Sequence, residues 1–330
     1  MTSHRLLRIV FLLTLACMFS SATAAKTILV IESYHSEYEW DASYLHGLKS
    51  NLPGHDFVVF QMDTKRVPRA QFPIRAALAW EQYLEVKPDL VVLGDDNAVK
   101  LLASKFKKTE TPVVFLGVNS NPRALGVVGA PNITGVLERP LFKRSIAEID
   151  SLFQAKLKRA LILFDSGTTS HVAIQEEFQG KLFSTIGRTE VELRLIGEKS
   201  LWQQSILNAK QEGFDAIIIG LYHTIVDEAG KHVAAEKILS WSSENTPIPI
   251  FCFWDFSVGE NKTAGGLVLF GEIQGRAAAK IIKAIFEGKR PSTLGPLTAD
   301  QGRYLYSKSQ FKKWGLAVTE EMKERVEFVD

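Results

Sequence analysis

Eight short apolar runs, nearly all followed by a segment of helical spacing, restrict this chain to a narrow set of folds. The runs are Thr27–Glu32, Phe57–Met62, Leu90–Gly94, Val113–Val118, Ala160–Phe164, Val191–Ile196, Ala216–Leu221 and Pro249–Phe253. Between them, apolar residues recur three and four apart, as in Leu45, Leu48 and Leu52, or Ile174, Phe178 and Leu182. Ser200-Leu-Trp-Gln203 reads as a capping box at a helix start. Strands that alternate with helices pair in parallel and are covered on both faces. The fold class expected is therefore α/β, with doubly wound parallel sheets.

The pattern occurs twice. Four strand–helix units fill 27–119 and four more fill 159–255, separated by a Gly- and Pro-containing stretch from Asn119 to Gly135. Two lobes of similar architecture are expected. A last apolar run, Leu267-Val-Leu-Phe270, precedes a strong helix over Gln274–Glu287 with Ala277, Ile281, Ala284 and Ile285 on its apolar face. The pattern leaves open which sheet this piece completes.

Residues 1–25 read as a secretory signal peptide. Arg5 and Arg8 precede an apolar run from Ile9 to Phe19, and Ala22-Thr23-Ala24 supplies small residues before the cut. A lipid-anchored alternative at Cys17 has Thr14 where that motif takes Leu. Removing two arginines and no acids turns 39 basic and 37 acidic side chains into 37 of each. That balance argues against a nucleic-acid-binding face or a polybasic membrane anchor. Cys252 is then the one remaining cysteine, so no internal disulfide is available and the core must hold the chain together. The expected product is periplasmic and monomeric.

Polar and aromatic residues gather at the strand ends. Ser33-Tyr34-His35 follows the first run, with Trp40 soon after; Asp95-Asp96-Asn97 follows the third and Asn119-Ser120-Asn121 the fourth. In the second half Asp165-Ser-Gly-Thr-Thr-Ser170, Tyr222-His223 and Trp254-Asp255 do the same. In an open parallel sheet ligands bind beyond the carboxyl ends of the strands, where helix N-termini offer amide donors to anions. Each cluster also has a plainer reading: Asp95 or Asp96 as a helix cap, the asparagines as turn residues, Ser166–Ser170 as capping, Trp254 as core. Their recurrence in both halves favours a site.

Phosphate-loop, dinucleotide, nucleophile-elbow and H-E-x-x-H motifs are missing from the sequence. His223, Asp227 and His232 do not share one helix face, so neither a metal nor another cofactor is expected. A hydrolase using Asp95 and Asp255 remains as an alternative from another class.

The segments ILVIESYHSEYEW, PDLVVLGDDNAVKLL, TPVVFLGVNSNP, NITGVLE and GGLVLFGEIQGRAAAKIIKAIFEGKRP resemble the periplasmic binding proteins of the ABC-transporter substrate-binding family. They equally resemble the related extracellular sensor regions of bacterial histidine kinases and diguanylate cyclases, which "DDNA" and "GVN" match more closely. The resemblance spans nearly all of 27–315. It implies a type I periplasmic-binding-protein fold, with two lobes joined by crossovers near Gly135–Arg139, Asp255–Gly259 and Arg290–Pro296. Residues 26–137 and 258–290 would form one lobe, and 138–257 and 291–330 the other. The function it implies is closure of both lobes on a small polar ligand, with an amino-acid-like solute favoured. Ser33, Tyr34, His35, Asp95, Asp96, Asn97 and Asn119 would contact it from the first lobe. Ser166, Thr168, Thr169, Tyr222 and Asp255 would do so from the second, with Trp40 and Trp254 as stacking platforms. The closed form would be presented to a membrane permease or, alternatively, to a membrane-bound kinase, cyclase or chemoreceptor.

Overall fold

A computed structural model describes residues 25–154, 156–299 and 301–330; the expected signal peptide lies, but for its last residue, outside the described residues. In the first lobe the chain runs β1 (Thr27–Glu32), α1 (Glu39–Asn51), β2 (Asp56–Gln61), α2 (Phe72–Val86), β3 (Leu90–Gly94), α3 (Asp95–Phe106), β4 (Val113–Val118) and β5 (Ile133–Glu138). The second lobe continues with α4 (Phe142–Leu152), β6 (Arg159–Phe164), α5 (Thr168–Phe178), β7 (Phe183–Ile186), β8 (Thr189–Leu195), α6 (Lys199–Asn208), β9 (Ala216–Ile219), α7 (Ala235–Asn245), β10 (Ile250–Cys252) and β11 (Gly265–Val268). After these come α8 (Gly271–Phe286), β12 (Leu297–Ala299), β13 (Arg303–Ser307), α9 (Lys308–Trp314) and β14 (Val326–Val329).

Six parallel strands build the first sheet, in the order β12-β5-β4-β3-β1-β2. Its inner strands β3 and β4 are buried along their whole length, because helices cover both faces. The second sheet runs β10-β9-β6-β8-β7, parallel except for the edge strand β7, which forms an antiparallel hairpin with β8. A third sheet, β11-β13-β14, lies beside β10, to which Ala264 donates its amide N–H through the Ile250 carbonyl. The doubly wound, two-lobed expectation holds.

Several boundaries differ from the sequence reading. Ile133–Glu138 is a full strand rather than part of a separator. The chain crosses between lobes after β5, after β11 and between β12 and β13. The expected crossing at Asp255–Gly259 instead lies in a loop of the second lobe, where Val258 bridges to Thr263. Residues 265–268, expected in the first lobe, therefore pair with β13, and 297–299, expected in the second, add β12 to the first sheet. The late helix α8 does return to the first lobe and packs on α1. No capping box forms at Ser200: α6 begins one residue earlier, after Glu198, without a side-chain cap. Leu182 lies beyond α5 and is exposed.

One hydrophobic cluster runs through both lobes, from Val30, Tyr38 and Trp40 to Phe164, Tyr222 and Trp254. Its continuity means that the two lobes share packed side chains where they meet. A second cluster fills the other face of the first sheet, around Leu93, Phe106 and Phe115.

Candidate functional site

The carboxyl ends of β1, β3, β4 and β5 converge where the two lobes meet. Ser33 donates its hydroxyl to the Gly94 carbonyl (2.6 Å) and accepts the Ala98 N–H (2.8 Å), fastening β1 to α3. Neither Asp95 nor Asp96 caps α3, because Gly94 holds the N-cap position. Asp95 has a left-handed backbone (φ 65°) and accepts the Trp40 indole N–H at 3.1 Å. Asp96 accepts the amide N–H groups of Asn119 (3.2 Å) and Ser120 (2.8 Å), tying α3 to the end of β4. Glu138 completes this seam: it accepts the Asn119 amide (2.8 Å) and, from the other lobe, the Trp254 indole N–H (3.0 Å). Asp255 stands apart, bound to Arg303 at 2.6 Å.

Beside this seam a cleft of about 520 Å³ opens between the lobes. Of the residues singled out from sequence, Tyr34, Asn97, Ser166, Thr168 and Thr169 line it. His35 and Tyr222 line a smaller adjoining cavity of about 210 Å³, with Tyr38, His223 and Phe256. Ser33, Trp40, Asp95, Asp96, Asn119, Trp254 and Asp255 line neither cavity; their hydrogen bonds hold the frame. Across the cleft the Tyr34 hydroxyl meets that of Thr169 at 2.8 Å, and Arg69 donates to the Ser166 carbonyl at 3.2 Å. Asp165 accepts from the amides of Gly167 and Thr224 and from the Ser170 hydroxyl. These bonds set the entry of α5, whose first turn faces the cleft through Thr168 and Thr169.

Lys65 is the residue that the sequence reading missed. It follows β2 in Met62-Asp-Thr-Lys65, a strand end overlooked although the rule applied to its neighbours holds for it equally. Its ammonium lies 4.3 Å and 4.7 Å from the ring centroids of Tyr34 and Tyr38, and only 6% of the residue is exposed. Burial pulls its pKa below the ordinary lysine range, while the charges of Asp165, Asp95, Asp41 and Glu138 oppose that shift. Glu138 was missed too, being the polar end of an unrecognised strand. Burial pushes it up to about 7 despite its two hydrogen bonds. Asp95 is raised well above its usual range, by burial and then by Glu138 and Asp96 beside it. Burial also holds His223 well below the usual histidine range. Among the described residues no group of three or more His, Cys, Asp or Glu is placed to hold a metal ion.

Two parallel-sheet lobes, three chain crossings and a cleft at the strand ends define the type I periplasmic-binding-protein architecture. The model of the ABC transporter substrate binding protein family matches residues 68–328, and the chain belongs to that family. Proteins of this family bind small-molecule ligands and typically work with a membrane permease. The fold is similar to that of the ABC domain in complex with L-Trp from Streptococcus pneumonia (TM-score 0.64, 17% identity, 93% of this chain and 100% of that one). It is likewise similar to a conserved domain protein from Vibrio cholerae (0.64, 16%, 93% and 100%). A ligand-free, open substrate binding protein with adhesive properties from Clostridium difficile also resembles it (0.60, 16%, 93% and 99%). No curated protein matches the chain.

Proposed function

We propose that the protein captures a small polar solute of amino-acid size in the periplasm, as a monomer, and presents its closed form to an ABC permease. The observation that carries this reading is the 520 Å³ cleft lined by strand-end residues of both lobes. That size lies within the roughly 300–1,000 Å³ usual for small-molecule sites. A solute touching Tyr34, Lys65 and Asn97 on one side and Thr168 and Thr169 on the other has all its contacts only when the lobes are shut. Binding therefore shifts the population toward the closed form that a permease would recognise. A paired-acid hydrolase finds no such support: Asp255 is held by Arg303, Asp95 has Glu138, Asp96 and Lys65 as its charged neighbours, and neither acid lines the cleft.

Protein unfolded and refolded to strip any carried-over solute is screened by thermal shift against amino acids, carboxylates, polyamines, nucleobases and sugars. A solute at a hundred times its Kd adds about 2.7 kcal/mol of stability, a rise of several degrees for a chain of this size. A selective rise, with contraction of the particle in solution scattering, is the expected result. Silence across all classes counts against solute capture.

A further inference from the structure

We infer that the cleft recognises its solute through a carboxylate, and that an amino group on the solute contributes nothing to recognition; the inference rests on the solute-capture reading. The cations come first. Lys65 is more than nine-tenths buried, lines the cleft, and donates no hydrogen bond to another described residue, its ammonium resting only on two tyrosine rings. A buried ammonium with three unused donors is costly unless something accepts from it. Facing it from the second lobe is the first turn of the eleven-residue α5, whose leading amides have no helical acceptor. Arg69 stands at the rim with one guanidinium nitrogen on the Ser166 carbonyl.

The acids then fail to supply the opposite pole. Asp165, the one carboxylate that lines the cleft, accepts from Gly167 and Ser170 on one oxygen and from Thr224 on the other, and its charge already acts on Lys65. Asp96 and Glu138 spend their oxygens within the seam, on Asn119 and Ser120 and on Asn119 and Trp254, and neither reaches the cleft. Among the described residues, Asp95 has one oxygen on the Trp40 indole and the other without a partner, and Asp41 has neither oxygen partnered; both lie outside the cleft lining. The cleft thus offers cations, backbone amides and hydroxyls as donors, against one carboxylate, Asp165, that already accepts three hydrogen bonds. A carboxylate placed between Lys65 and the α5 first turn satisfies donors from both lobes at once; an ammonium there meets like charge.

The test uses calorimetry on two matched trios: hydrocinnamate, phenylalanine and phenethylamine; isocaproate, leucine and isoamylamine. The broader solute panel is run alongside. Acids lacking the amino group should bind at least as tightly as the matching amino acids and at least tenfold more tightly than the amines. Lys65→Met should lose tenfold or more in affinity for the acid, Lys65→Arg should recover part of it, and Arg69→Gln, at the exposed rim, should lose severalfold with the fold untouched. Tighter binding of amines, an obligatory amino group, a neutral sugar or nucleobase as the only binder, or unchanged binding in Lys65→Met and Arg69→Gln overturns the carboxylate assignment while leaving solute capture standing. Absence of binding by every solute overturns both.

Discussion

Glu138 ends β5 with both carboxyl oxygens engaged and almost no access to solvent. Its ordinary pKa of 4.5 is pushed up to about 7 by burial, which the two donors only partly offset. Between those values the folded protein keeps a proton that the unfolded chain has released. Stability attributable to this group is full below about pH 4.5 and falls as the pH rises to 7, by on the order of 3 kcal/mol across the window. Urea unfolding from pH 5 to 8 should show that decline. Glu138→Gln should flatten part of it and also lower stability at pH 5, because its amide nitrogen then faces a donor, Asn119 or Trp254. An unchanged slope in the variant would place the titration on another buried acid, foremost Glu32, which burial also pushes up to about 7. At this scale the sequence offered residue types but not their partners: Asp95 and Asp96 look alike in a strand-end cluster, yet one faces an indole and the other two amides.

Between elements, the contact of α1 with α8 carries the return of the chain to the first lobe. It is made through glycines. A Cβ on Gly47 would collide with the Glu272 carbonyl, and one on Gly275 with the Tyr44 carbonyl. Ser43 reinforces the contact by accepting the Glu272 amide N–H at 2.8 Å. Gly275→Ala gains up to about 1 kcal/mol in helix propensity but forces apart two backbones, and overpacking costs about 1–3 kcal/mol. A net loss of about 1–2 kcal/mol in urea unfolding is expected, and an unchanged midpoint would mean that the helices separate freely. The amphipathic helix itself was legible in Ala277, Ile281 and Ile285, and so was the parallel pairing of β1, β3 and β4, whose apolar runs need cover on both faces. β5 was not, since Gly135 breaks its apolar run and Asn132 and Pro131 before it read as a turn.

For the whole molecule, the packed seam between the lobes is joined across the cleft by the Tyr34–Thr169 hydroxyl pair and by Arg69 on Ser166. A hydrogen bond of this kind contributes about 1 kcal/mol net, close to a fivefold change in a two-state ratio. Tyr34→Phe keeps the ring under Lys65 and removes the hydroxyl. Its solute-free form should shift toward open by about that factor, read as an increased radius of gyration in solution scattering or as a new population in single-molecule distance measurements. Thr169→Val should match it, and the double variant should add nothing further. Additive losses would show that the two hydroxyls act separately.

The two-lobed, doubly wound architecture was written in local chemistry. Buried parallel strands demand unbroken apolar runs and helices demand a striped face, and both patterns survive in a linear reading. Tyr34, Asn97 and Thr168 were also reachable, because strand ends in such sheets face the cleft. The tertiary structure decided what depends on contacts distant in sequence: which acids spend their oxygens inside the seam, that Asp255 answers to Arg303, and that β12 joins the first sheet. It also placed Lys65, an ordinary lysine in a polar loop by its neighbours, as the buried cation of the cleft. Hydrogen-bond saturation and desolvation are properties of what surrounds a group in space, and no run of neighbouring residues encodes them.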